Sequence, residues 1–414
     1  MAPFNFLNSR TRFKFLAITA PVVVFAIVGG LLGTVLARED TYQHLKIFDD
    51  VVSLISSNYV EKVEIDKVMR GAMNGLVDSL DPDSAFLAPD EVKQAESATP
   101  PPAGDLGIEL TRQYYLRILA ARDNSPAAKA GLRTGDYVRA INDVPTRDMS
   151  VWQGMRALRG PVGSKVTLTI FRGNAADPHV VSMTREALSP LDISGRIATP
   201  GVGYVRVPAI GAKTVEQMKS QIAEVSKNGA TKLVIDMRRT ATGTYDQGIA
   251  LARLFVAKGT LAVRETKGAP TRDTIAAGPG DGSIALPAVL LVDNGTSGAA
   301  ELFAAALHGN QRADLIGEHT IGRAGVQKLV KLPGGSGLWL TTVRYLTPAG
   351  TPLHEKGLEP TVAVEGPEVE FGQPAPAGDS ALDKAIEHVQ TAQPPAAARV
   401  ARATPVWLAE KKAA

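Results

Sequence analysis

From residue 203 onward short apolar runs alternate with amphipathic stretches, and this alternation constrains the fold more than any other feature of the chain. The runs at 203–207, 232–237 and 288–292 have the length of strands, and the first two are separated by residues 214–228, where Val215, Met218, Ile222 and Val225 recur at helical spacing. Residues 246–255 read as a second helix and 299–307 as a third. Strands that alternate with helices imply parallel neighbours, because a parallel pair needs a long crossover. The expected class is α/β, multi-domain, with a partly parallel sheet in its core. Function in such sheets gathers beyond the carboxyl ends of strands. Two such ends stand out, residues 238–243 and 293–298, each between a strand and a helix, and a glycine-punctuated segment at 317–327 leads into a further strand.

The chain before this core has its own organisation. Apolar residues at 42–80 recur at helical spacing in two stretches, broken by a polar segment around Asn58 and Glu61 and stopped at Asp81-Pro82, where proline disfavours continued helix. Residues 41–96 are therefore expected to be a helical region, and the three prolines at 100–102 to lie in a linker. Between 104 and 186 the pattern is short strands with two helices. One has Ser125 as its cap, Pro126 at its first position and Gly131 as its stop; the other covers 151–158. The last part, 366–414, is rich in Ala and Pro and reads as a mostly flexible tail with one helical stretch at 381–389.

Composition excludes several classes. With no cysteine in 414 residues, disulfides, thiolate metal sites and cysteine nucleophiles are excluded. The net charge of +3 does not suggest nucleic-acid binding, and the six histidines are scattered, so neither a metal nor a cofactor is expected. Residues 15–36 carry no charge, follow Arg10, Arg12 and Lys14, and are long enough to span a bilayer. The basic cluster places residues 1–38 as a cytoplasmic end plus transmembrane anchor, or as a signal peptide if Val35-Leu36-Ala37 is a cleavage site. In both cases the body is expected in a bacterial periplasm, anchored to the inner membrane or secreted.

Specific motifs run through this organisation. SPAAKAGL at 125–132 and GDYVRAIN at 135–142, in order and correctly spaced, resemble a PDZ domain of the bacterial protease type. With LDPDS at 80–84, GTSGAAELF at 295–303, GEHTIG at 317–322, YLTPAGTP at 345–352 and GLEP at 357–360, the chain from 42 to 365 resembles the carboxyl-terminal processing peptidases, S41-class serine endopeptidases. The resemblance implies N-terminal helices, a PDZ domain at 104–186 and an S41-like core at 190–365. It also implies that the PDZ loop Asp105-Leu106-Gly107-Ile108 cradles a peptide carboxylate on backbone N–H groups, with Leu106, Gly107 and Ile108 as peptide-binding residues and Asp105 unfavourable by charge.

The same resemblance places the family's nucleophilic serine at Gly298, three residues before Glu301, and its general-base lysine at Arg323, 25 positions later. A family glutamine is matched by Gln327, and the glycine pair of its oxyanion region by Thr242 and Gly243. Gly298 has nothing to attack with, and arginine stays protonated where lysine could act as a base. Ser297 could substitute as nucleophile, but one step at a helix start turns a side chain by roughly 100°. Lys328 lies an odd number of positions beyond Arg323, so a regular strand points it to the opposite face. The expectation for Ser297 is a helix cap. For Arg323 it is either a cation for a peptide carboxylate or an ion pair with Glu301 or Glu318.

The expected function is an S41-like PDZ protein of the envelope that has lost peptidase activity and binds extended, unfolded or C-terminal polypeptide segments of envelope proteins. Two alternatives remain open here, an active endopeptidase using Ser297 and a structural scaffold that forms a homo-oligomer.

Overall fold

The computed structural model describes residues 43–173, 177–269, 271–367, 369–373 and 378–391. The chain divides into two units, 1–73 and 74–414. In the first, residues 43–58 are helical, with Leu45, Val51 and Leu54 exposed. A second helix, Ile65–Asp78, begins in this unit. Val68, Met69, Ala72 and Met73 share its half-buried side, as the spacing requires. The apolar span at 15–36, and with it the anchor expectation, lies outside the described residues. Among the described residues no helix is long and apolar enough to cross a membrane.

The second unit opens with a turn that matters later. Asp81 Oδ1 accepts the backbone N–H groups of Asp83 and Ser84 at 2.9 and 2.8 Å, which folds the LDPDS segment back into strand Ala85–Leu87. The segment expected to resemble a PDZ domain forms an antiparallel sheet in the order Ile108–Gln113, Tyr115–Ala121, Tyr137–Ile141, Lys165–Phe171 and His179–Thr184. Helix Val151–Leu158 packs on the edge strand Ile108–Gln113. The short helix Pro126–Lys129 is capped by Ser125, whose hydroxyl accepts from Ala128 N.

The core has two sheets. Six strands run in the order Ser194–Thr199, Val202–Arg206, Lys232–Asp236, Ala288–Val292, Ala313–Gly317 and Val362–Ala363; the first pair is antiparallel and the rest are parallel. Side chains alternate between its faces. Leu233, Ile235 and Leu290 pack with helices Thr214–Lys227, Tyr245–Ala252 and Ala299–Gly309, while Val234, Val289 and Leu291 face the other way. That second face is covered by helix Ser380–Thr391 through Ala385 and Val389, both 0 % exposed. Part of the segment expected as a flexible tail therefore completes the core, because a parallel sheet buries both faces. Arg238 fastens it, reaching Asp379 at 2.7 Å and Asp236 at 2.6 Å. The second sheet is antiparallel, with Gly337–Leu346 paired to Ala85–Leu87, Thr260–Thr266 and Gly325–Lys331. It brings Asp83 and Ser84 beside the 320–327 segment, and Ser84 Oγ accepts Thr341 N at 3.2 Å.

Candidate functional site

The turn after strand Ala288–Val292 is built from its own polar groups. Asp293 Oδ1 accepts Gly295 N at 3.0 Å and Arg239 N at 2.9 Å, and the Thr296 hydroxyl reaches Met237 O at 3.0 Å. Ser297 N donates to Thr240 O. Gly298 then adopts φ 61°, ψ −120° as the N-cap of helix Ala299–Gly309, and its N–H donates to Arg323 O at 3.1 Å. That backbone conformation is strained for any residue with a side chain, as at a strand-to-helix nucleophile turn. A Cβ placed there would have Arg323 O, 4.0 Å away, as its nearest neighbour, so space for a side chain is present and only the side chain is missing.

Ser297 is not the cap expected of it. The cap residue is Gly298, no side chain caps this helix, and the fully buried Ser297 hydroxyl has no hydrogen-bond partner among the described residues. A serine without a hydrogen-bonded base is not activated. Lys328 is exposed, whereas Gln327 is half-buried with its amide donating to Thr341 Oγ1 at 3.0 Å.

Arg323 is held from both ends of the residue. Its N–H and that of Gly322 donate to the Glu301 carboxylate at 2.8 and 2.7 Å, the Thr320 hydroxyl donates to the same group, and the Tyr245 hydroxyl lies 3.0 Å from the carbonyls of Arg323 and Gly325. Burial pushes the Glu301 carboxyl up to about 7 against the pull of these donors. The guanidinium is ion-paired with Asp83, Nε donating to Oδ2 at 3.1 Å and Nη2 standing 2.8 Å from Oδ1. Its Nη1 donates to Leu110 O at 3.3 Å and stands 3.9 Å from Glu109. The expected partners were Glu301 and Glu318. Glu301 instead takes the backbone N–H, and Glu318 accepts Gly366 N. Burial opposes the charge on Arg323, but Asp83 and Glu109 hold its pKa above the ordinary arginine value. Enclosure pushes Glu109 up while Arg323 pulls it down, and the upward effect is larger.

Asp83 is the residue that sequence reading missed. It stands in LDPDS, a motif that reads as a helix stop and as part of the family resemblance, and nothing local connects it to position 323. Arg323, Asp83 and Gln327 line a cavity of about 640 Å³ closed by Trp339 and, across it, by Val151, Met155 and Arg159 of the 151–159 segment. Thr242 and Gly243 lie between strand Lys232–Asp236 and helix Tyr245–Ala252. A Cβ at 243 would stand 2.7 Å from Ile210 O, whereas Thr242 carries a buried hydroxyl without a hydrogen-bond partner among the described residues.

In the loop expected to cradle a carboxylate, two backbone donors are engaged by the chain itself. Leu106 and Ile108 are 0 % and 2 % exposed, and neither lines the cavity. Asp105 Oδ1 accepts the N–H groups of Leu106 at 2.7 Å and Gly107 at 2.9 Å. Gly107 sits at φ 73°, with Ser125 Cβ only 2.4 Å from where its own Cβ would be.

Comparison with known proteins gives this arrangement a lineage. The peptidase family S41 model matches residues 201–364, and a PDZ domain model matches 117–172. The carboxy-terminal-processing protease of Bartonella bacilliformis is 31% identical over 337 residues, covering 80% of this chain and 77% of that protein. The protein belongs to this S41 family of carboxyl-terminal-processing proteases. The carboxyl-terminal-processing protease of Synechocystis is 29% identical over 324 residues, 76% of this chain and 75% of its own. Among solved structures, a photosystem II D1 C-terminal processing protease aligns with a TM-score of 0.63 at 26% identity, over 77% of this chain and 92% of that one. In this family member the three groups that hold the Arg323 side chain, Asp83, Glu109 and Leu110 O, all lie outside both matched ranges.

Proposed function

We propose that this S41 protein is a pseudopeptidase of the cell envelope, in which the PDZ segment at 104–186 and the S41 core at 190–365 hold extended polypeptide segments without cutting them. One observation carries the reading: the cation at position 323 is paired with Asp83, and position 298, whose N–H donates to Arg323 O, has no side chain. Serine-type catalysis needs a hydroxyl and a group that takes its proton, and this pair supplies neither. What it supplies is a fixed charge at the foot of a cavity of about 640 Å³ whose walls mix Trp339, Met155 and Val151 with polar groups. Such a lining suits a polypeptide backbone with apolar side chains. The periplasmic placement rests on the uncharged span at 15–36 and the basic residues before it.

The test is proteolysis of casein by the purified protein. The wild type is expected to cleave nothing above background, and cleavage abolished by Ser297→Ala would overturn the reading. Gly298→Ser with Arg323→Lys restores a hydroxyl and an amine. However, Asp83 and Glu109 would keep that lysine protonated, just as they favour the charge on Arg323. The double variant is therefore expected to stay weak. Adding Asp83→Asn should raise its cleavage rate roughly tenfold or more, since each unit by which a base pKa falls toward neutrality multiplies the neutral fraction by about ten.

A further inference from the structure

The edge strand Ile108–Gln113 begins at a loop whose free N–H groups would hold the end of a peptide. In this chain those donors are already occupied by an anion, and the anion belongs to the chain. Asp105 Oδ1 takes Leu106 N at 2.7 Å and Gly107 N at 2.9 Å, and Arg159 Nε lies 3.4 Å from Asp105 Oδ2. The positive φ of Gly107 turns two successive N–H groups toward one point, the geometry of an anion nest. The three groups together reproduce what a captured C-terminus needs, two backbone donors and a cation, with the Asp105 carboxylate already in the ligand's place.

The loop that carries Asp105 is firmly built. Gly104 and Gly160 exchange backbone hydrogen bonds at 2.9 and 3.0 Å, and Asp105 pairs with Glu186 in a two-residue ladder. Asp105 is held on both sides of the nest, and a terminal carboxylate brought there would meet a fixed like charge with the N–H groups of Leu106 and Gly107 already engaged. Within the strand that follows, Leu110 O receives Arg323 Nη1 and is satisfied internally as well.

We propose that the Asp105 carboxylate is a built-in occupant of the PDZ carboxylate nest, and that this protein therefore takes interior, carboxylate-free stretches of extended polypeptide rather than chain ends. The proposal rests on the peptide-binding reading above and narrows its ligand class. It makes Asp105 a specificity-determining residue.

The experiment uses the full chain and two fluorescent ten-residue peptides of one apolar, alternating sequence, one ending in a free carboxylate and the other in a carboxamide, with affinity read by anisotropy. The wild type is expected to bind both within a factor of two. Asp105→Gly empties the nest and should bind the free acid at least tenfold more tightly, with the amide unchanged. Asp105→Asn removes the charge, retains an oxygen for the two donors, and should shift the acid by a smaller factor; it also keeps the test valid if the glycine variant does not fold. A wild type that prefers the free acid tenfold overturns the proposal, as does a folded Asp105→Gly that treats both peptides as the wild type does. Amide binding by the wild type tests the peptide-holding function separately. Loss of binding to both peptides in every variant would sink that function and this inference together.

Discussion

Two loops of this protein use the same device in different surroundings. Around 320–323 the backbone donors of Gly322 and Arg323 converge on the carboxylate of Glu301, and around 105–108 those of Leu106 and Gly107 converge on Asp105. Glu301 is 0 % exposed and has no cation among its hydrogen-bond partners, whereas the Asp105 side chain is 22% exposed and faces Arg159. Burial decides what the device does. Enclosed, it is a structural anchor whose loss exposes nothing to water that could substitute for it; at the surface, it competes with a ligand and with solvent.

The comparison breaks if the two carboxylates prove equally important for stability. Glu301→Ala orphans three buried donors, each costing about 1–3 kcal/mol, so the urea midpoint should fall by the equivalent of about 3 kcal/mol or more. The pH dependence sharpens the contrast. With its folded pKa raised to about 7 from an ordinary 4.5, Glu301 contributes stability that is fully present below 4.5 and is lost as pH rises through 7. Wild-type unfolding free energy should thus fall by about 3 kcal/mol more than that of Glu301→Gln between pH 4.5 and 8; parallel slopes would refute the burial account. Asp105→Ala is the smallest effect, about 1–2 kcal/mol, because it leaves two donors rather than three and removes a carboxylate that is already partly exposed.

What could be read from the sequence follows the range of the forces involved. Helix Val151–Leu158 and strand Ala288–Val292 have the ends expected of them, because a cap at Ser150 and a continuous apolar run are local signals. The absence of a side chain at 298 and the arginine at 323 needed only a count along the chain. The ion pair between Arg323 and Asp83 joins residues 240 positions apart, and no pattern near either one announces it. Glu301 served as a landmark for counting, and its part in holding the 320–323 segment became visible only when strands brought the two together. Ser297 reads as a cap from sequence, but the cap position falls one residue later, on a glycine with positive φ. Asp105 was recognised as electrostatically awkward for a ligand, but sequence does not reveal that its own carboxylate turns back onto its neighbours' N–H groups.

Helix Ser380–Thr391 has a bearing on the order of assembly. The strands it covers begin at Val202 and end with Val362–Ala363, so one face of the parallel sheet has no partner until the chain has emerged almost to residue 391. A chain delivered N-terminus first would hold Val234, Val289 and Leu291 uncovered through most of its synthesis. The long span between these contacts places their closure late, when Arg238 meets Asp379. Completion of this core is thus timed by the arrival of a single twelve-residue helix, and a chain cut before it would carry a strip of bare β-surface open to aggregation.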